Sequence, residues 1–186
     1  METSYAFLPG LELNKGFFTD IVKPLLTEYF PELRYSAALS GYGSDVLGVD
    51  TATSMDHNWG PRLQIFLAEH EIADMKPNID VILREHLPVS YRGFPTNFTD
   101  KRQDFTQSML PIESGPVNHL IEILTLPEFL NWEIGIQRAQ DATLIDWLTF
   151  PEQGLIELNK GMGIHDVLTM MILVAESFAL FPDPLC

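Results

Sequence analysis

Two short stretches hold most of the residues whose types and spacing suit chemistry. Gly41-Tyr-Gly-Ser44 sets two glycines before a serine, and a glycine pair lets the backbone turn sharply and come close to a ligand. If Ser44 opens a short helix, its hydroxyl and the free amide hydrogens of that first turn face a phosphate. Asp56-His-Asn58 then reads as a strand edge, with Asp56 and Asn58 alternating outward and His57 between them pointing into the protein. Oxygen ligands at alternating strand positions share a direction, which suits them to hold Mg²⁺ or Mn²⁺ beside a triphosphate. Glu122, midway through the apolar run Val117–Leu126, offers a third carboxylate. The plainer reading leaves Asp56 a turn residue ahead of Trp59-Gly60-Pro61.

Other chemistries fit poorly. Ser44 lacks the Gly-x-Ser-x-Gly elbow of an esterase nucleophile. Gly41-x-Gly43 lacks the third glycine of a dinucleotide fingerprint, because position 46 is Val. The one cysteine, Cys186, rules out an intramolecular disulfide and a thiolate metal site, and no paired histidines have zinc spacing. His119 and His165 sit in or near apolar segments and read as packed histidines.

Charge narrows the partners. The chain carries 26 acids and 11 bases, a formal net charge of -15. Residues 103–186 hold only two of the bases, Arg138 and Lys160, against 12 acids. An anionic ligand is therefore expected in the first part, near Arg62, Arg84, Arg92, Lys101 or Arg102. Clustered bases for a long nucleic acid are missing. A hydrophobic fraction of 46% excludes a disordered acidic chain. The longest apolar stretch, Val167 to Ala175, is far short of the roughly 20 residues of a membrane span, and the start lacks a signal-peptide pattern. A soluble, cytoplasmic protein without a membrane partner is the expectation.

The elements that must position these residues follow from periodicity. Asn14 to Phe30 has helical spacing, with Asn14 as N-cap and a kink at Pro24. Tyr35–Ser40 and Leu63–Leu67 read as strands. Pro77–Leu87 reads as a helix with Pro77 in its first turn and Ile79, Ile82, Leu83 and Leu87 inward. Val89–Ser114 carries turns and a short hairpin, and Val117–Leu126 is a strand. Asp141–Phe150, Pro151–Leu158 and Ile164–Leu180 read as helices. The class is α+β or α/β, with α+β preferred: a core over residues 1–126 and a helical segment over 127–186 packed on it.

Gly43-Ser44 followed by Asp56 resembles the signature of the DNA polymerase beta-like nucleotidyltransferase superfamily. More closely, the chain is similar to an uncharacterised, mostly microbial family within it. The shared segments are Gly41–Asp50, Asp56–Arg62, Arg92–Phe98, His119-Leu-Ile-Glu122, Asp146–Pro151 and His165-Asp166. The resemblance implies a mixed sheet flanked by helices. It implies a nucleoside triphosphate held by Gly43 and Ser44, with Arg62 and Arg92 near the nucleotide. It also implies divalent ions on Asp56, Asn58 and Glu122, with Asp56 and Glu122 in catalytic roles. In active members, metal-bound carboxylates neutralise the phosphates and align a hydroxyl for in-line attack.

Two departures stand out against that pattern. Position 58 is Asn where the family usually has an acid, and an amide oxygen ligates without bringing charge. The family also continues with a helical region beyond the Phe181-Pro182 equivalent, so this chain reads as a shortened copy. Its last apolar stripe, Val167 to Val174, is then left to favour a homodimer. Two readings result. One is a Mg²⁺–nucleoside triphosphate binder that transfers a nucleotidyl group to an unknown acceptor, including a partner protein. The other is a catalytically silent module that senses a nucleotide or pairs with another protein.

Overall fold

A computed structural model describes residues 7–138 and 142–166. The chain opens with a broken helix: α1 (Gly10–Phe17), a π turn (Phe18–Val22) and α2 (Lys23–Tyr29). Pro24 has no amide hydrogen, and its ring would clash with the carbonyl four residues back. The wider π turn just before it absorbs both defects within one helical rod. Asn14 is not the N-cap: the helix starts four residues earlier, and Asn14 is fully buried within it. Its Nδ2 donates to the Gly10 carbonyl, and its Oδ1 accepts the Arg62 amide hydrogen.

Then come β1 (Ser36–Leu39), a 3-10 turn (Ala52–Asp56), β2 (Arg62–Phe66), α3 (Ile72–His86) and the small hairpin β3 (Ser90–Tyr91) with β4 (Phe94–Pro95). The chain continues through β5 (Leu120–Leu124), α4 (Leu126–Ile134), α5 (Leu144–Thr149), α6 (Glu152–Lys160) and β6 (Met162–Asp166). The main sheet has the order β5-β2-β1-β6. β1 runs antiparallel to β2 and β6, while β2 and β5 are parallel. The protein is thus α+β, with a mixed four-stranded sheet and helices on both faces. Among the described residues, no helix is long and apolar enough to cross a membrane.

Side-chain alternation sorts the strands onto the two faces. Ala37, Leu63, Ile65, Ile121 and Ile123 join α1, α2 and α3 in the larger core, with Trp59, Tyr91 and Phe94. Ala38 and Phe66 face the other way, against Phe129, Leu130 and Ile134 of α4 and Leu158 of α6. Arg62, Gln64 and Phe66 share parity on β2, so the polar pair Arg62 and Gln64 lies on the α4 and α6 side. In the parallel register Gln64 is opposite Glu122. All five β2 residues are buried, as expected of a central strand covered on both faces.

Three expected elements come out differently. Pro77 lies inside α3, whose first turn begins at Ile72; Pro77 and Ala73 are exposed, so water serves the carbonyl that loses its partner. Residues 162–166 are a strand rather than a helix start, paired to the open edge of β1 with a bulge at Ala37/Ala38. The remainder of the expected 164–180 helix, with its apolar stripe, lies outside the described residues. β6 also puts a strand of the 127–186 segment into the sheet of the preceding core. Finally, α4 lies within the expected helical segment 127–186 but before the first helix individually assigned in it.

Candidate functional site

The Gly41–Gly48 turn leaves β1 and is built around a buried ion pair. Arg62 grips Asp45 with two hydrogen bonds, Nη2 to Oδ1 at 2.7 Å and Nε to Oδ2 at 3.2 Å. Their side chains are 3% and 0% exposed. Arg62 Nη2 also donates to the Tyr42 carbonyl at 2.9 Å, and the guanidinium lies over the Tyr42 ring. The Asp45 carboxylate outweighs the cost of burying the guanidinium and holds the Arg62 pKa above its ordinary value. Gly43 has φ +134°, and a Cβ there would collide with Asp45 Oδ1 and Arg62 Nη2. Only glycine lets the turn close over the pair. Asp50 adds a second tie: its Oδ2 accepts the Gly10 amide hydrogen at 2.8 Å and the Trp59 indole hydrogen at 3.0 Å. That carboxylate meets the free amide end of α1 from 40 residues away.

Tyr42 to Asp45 of this turn form one wall of a cavity of about 360 Å³; Ser54, Asp56, His57, Asn58 and Trp59 form the rest. The 52–59 segment is not the alternating strand edge expected of it. A Thr51/Ser54 capping box folds residues 52–56 into a 3-10 turn, and Asn58 sits in the left-handed region at φ +47°. Regular strand begins only at Arg62, past Gly60 and Pro61. His57 therefore faces outward, its side chain 53% exposed, and its Nδ1 lies 3.0 Å from Asp56 Oδ2. That hydrogen bond is the main cause holding the Asp56 carboxyl below its ordinary pKa.

Asn58 is committed to the loop at residues 107–108. Its amide hydrogen goes to the Gln107 carbonyl at 2.7 Å, and its Oδ1 accepts the Gln107 amide hydrogen at 2.9 Å. Ser108 Oγ donates to the Asp56 carbonyl at 2.9 Å. Asn58 thus works as a clamp on residues 107–108, and one lone pair of its amide oxygen is already taken.

Of the sequence-derived candidates, Gly43, Ser44, Asp56 and Asn58 line one cavity. Arg62 lies beneath it as the turn's buried support. Arg92 lies elsewhere, at φ +50° on the β3–β4 turn, 3.5 Å from Asp20 and 4.0 Å from Glu12. Glu122 opens instead onto a groove of about 700 Å³ and onto a small cavity of about 30 Å³. Its Oε2 accepts from Gln64 Nε2 at 3.2 Å. Tyr42 lines both the small cavity and the Ser44 cavity, so the two spaces share a single aromatic wall.

Donor chemistry decides what metal these residues suit. Asp56, its side chain 67% exposed, suits one hard cation that arrives already bound to phosphates, since Mg²⁺ commonly uses one or two carboxylates plus phosphate oxygens. A pair of bridged ions needs further carboxylates on the same space. Asp45 is held by Arg62, Glu122 faces a different cavity, and among the described residues no group of three acids, histidines or cysteines is set to hold a metal.

His119 and His165 read as packed residues and are placed so. His119 Nδ1 accepts the Ile121 amide hydrogen, and burial drives its pKa down to about 4. His165 packs against the rings of Phe18 and Tyr35. Residues that sequence reasoning passed over are Asp45, Asp50, Gln64, Gln107 and Glu133. Asp45 and Asp50 stood inside the quoted Gly41–Asp50 segment, and their acid character beside glycines was the available signal. Comparison of the chain with protein-family models, with curated proteins and with solved structures finds no match.

Proposed function

We propose that this protein binds a nucleoside triphosphate with Mg²⁺ in the Ser44–Asp56 cavity, and that its role is recognition of the nucleotide rather than transfer of a nucleotidyl group. One observation carries the reading. The Gly43–Ser44 turn, locked from behind by the Arg62–Asp45 pair, opens onto the same cavity as the exposed Asp56 carboxylate. In that arrangement the turn's amide hydrogens and the Ser44 hydroxyl meet phosphate oxygens, and Asp56 meets the cation. The Mg²⁺ ion supplies charge neutralisation, which matters in a chain of net charge -15. The silent half of the reading rests on Asn58, whose amide oxygen accepts from Gln107, and on Glu122, which lines neighbouring spaces rather than this cavity.

Calorimetry with ATP, GTP, CTP and UTP, with and without Mg²⁺, tests binding. The expected result is Mg²⁺-dependent binding that Asp56→Ala abolishes and Gly43→Ala weakens. An absence of binding at millimolar nucleotide refutes the proposal. Labelled nucleotide tests the second half: transfer by the natural chain equal to that of Asn58→Asp would overturn silence.

A further inference from the structure

We propose that the open edge of β5 is a docking site for an extended segment of a partner protein, one that alternates basic and apolar side chains and joins the sheet as an added strand. This goes beyond the nucleotide reading and does not depend on it.

Strand geometry provides the first observation. β5 is an outer strand of the sheet and, among the described residues, pairs only with β2. Along a strand in a parallel pair, the amide and carbonyl of one residue point to one edge and those of the next residue to the other. The Leu124 carbonyl accepts the Leu67 amide hydrogen at 3.0 Å, so Glu122 and Leu124 turn their backbone groups toward β2. Ile121 and Ile123 therefore turn theirs toward the open edge. His119 closes one of these positions, because its Nδ1 accepts the Ile121 amide hydrogen at 3.2 Å. The Ile121 carbonyl and the Ile123 amide and carbonyl have no partner among the described residues. Main-chain groups set out this way are what strand addition uses.

The second observation is the space beside that edge. The groove of about 700 Å³ runs along Ile121–Leu124, with Lys76, Pro77 and Asp80 of α3 on one wall and Glu128 and Trp132 of α4 on the other. That volume falls in the range of ligand clefts, about 300–1,000 Å³. The edge lies at its floor, with Ile121 and Ile123 only 6% and 4% exposed. A recessed edge admits one extended chain and excludes a second copy, whose own β5 is set equally deep between its own helices. Centred antiparallel pairing of two copies would also put one Glu122 carboxylate directly opposite the other, which is unfavourable.

The walls select the side chains of the occupant. An added strand alternates, one set of side chains toward α3 and the other toward α4. On the α3 side Pro77, Ile121 and Ile123 offer apolar surface, and the Asp80 carboxylate is already paired with Arg84 at 2.7 Å. The α4 side presents Glu122 and Glu128, and neither enters an ion pair among the described residues. Arg62 spends its hydrogen bonds on Asp45 and Tyr42. Trp132 on the same wall is 67% exposed, and Lys101 Nζ stands 5.3 Å from its ring centroid, a contact that basic side chains make favourably. Basic residues toward α4 and apolar ones toward α3 complement the two walls. The chain's own residues 167–186 match this poorly, since they carry Glu176 and Asp183 and no Lys or Arg.

The experiment is calorimetry of the full chain with the end-blocked peptide Lys-Val-Lys-Val-Lys-Val-Lys, without nucleotide or Mg²⁺, at roughly 150 mM salt to screen loose surface attraction. Saturable binding is expected, and its absence at peptide concentrations on the order of 1 mM overturns the proposal. Two further peptides carry N-methyl groups on all the valines or on all the lysines. A strand shows one set of amide hydrogens to each of its edges, so one methylated peptide should lose at least about tenfold in affinity and the other little. Equal effects of the two sets overturn strand addition. The same peptide with Glu for Lys should bind at least about tenfold more weakly, and Glu122→Gln should weaken the lysine peptide by up to about fivefold; equal binding of the Lys and Glu peptides overturns the basic occupant. Amide exchange reads the edge itself. In the free protein Ile123 should exchange faster than Leu124, and the peptide should slow it. An Ile123 amide as protected as that of Leu124 before peptide is added overturns the proposal in favour of residues 167–186 as the cover, and a dimer that the peptide dissociates overturns it in favour of a second copy. Because nucleotide is absent throughout, failure here leaves the nucleotide reading standing, and failure of that reading leaves this one.

Discussion

Replacing Glu133 by Gln should make the unliganded protein more stable, and only on the alkaline side. α4 presses this carboxylate toward Gly41, where its Oε1 would stand 2.8 Å from a Cβ at that position. Burial first, then the charges of Glu157 and Glu122, push its pKa from 4.5 up to about 7. The folded protein therefore holds this proton more tightly than the unfolded chain does. The stabilising contribution is complete below about pH 4.5 and is lost as pH rises toward 7. At about 1.4 kcal/mol per pH unit the full shift would be worth near 3 kcal/mol; partial exposure and solvent screening reduce this to about 1–2 kcal/mol. Glutamine keeps the shape and removes the titration. Urea unfolding at pH 8 should show Glu133→Gln more stable by about 1–2 kcal/mol, and at about pH 5 the two proteins should agree within about 0.5 kcal/mol. A gap that does not change with pH, or a variant that is less stable at pH 8, refutes the reasoning.

Two further outcomes follow from buried polar structure. Asp45→Ala strands the Arg62 guanidinium and should cost about 3–5 kcal/mol in chemical denaturation, whereas Asp45→Leu with Arg62→Met should recover most of it; a single-variant loss under about 1 kcal/mol would show that water reaches the guanidinium. Thr125→Ala removes the hydroxyl that accepts the Glu128 amide hydrogen at the start of α4 and should cost about 1 kcal/mol, with faster amide exchange in Leu126–Glu128. Unchanged exchange there would mean that packing alone holds the helix end.

What could be read in the sequence depended on whether a signal was local. β1, β2 and β5 were legible because apolar runs bounded by turn residues carry their own meaning. α4 was equally legible and passed over: Thr125 and Glu128 form a capping box, Pro127 sits in the first turn, and Gly135 ends the helix in the left-handed region. The Ser44–Asp56 pairing came from motif order, and both residues do line one cavity. Their strand geometry did not follow, because Asn58 takes a left-handed backbone to clamp Gln107, a partner 49 residues away. Glu122 was found by type but not by direction. Which space it faces is fixed by its register opposite Gln64, and that depends on the pairing of two strands far apart in the chain. β6 was misread as helix because its strand character comes from the free edge of β1, which no local pattern records.

The pairing of β6 to β1 has a consequence for synthesis of the chain. β1 is complete by Leu39, and antiparallel β2 follows it closely, but the partner for its other edge is Met162–Asp166. Throughout translation of the intervening residues, the apolar strand Ser36-Ala-Ala-Leu39 shows a row of unpaired amide and carbonyl groups. Such an edge is a template for other strands, and closure of the sheet waits for contacts of very high sequence separation. The nascent protein can build its N-terminal helices and the β1–β2 pair early. The free edge of β1 is covered only when the chain's last described strand emerges from the ribosome.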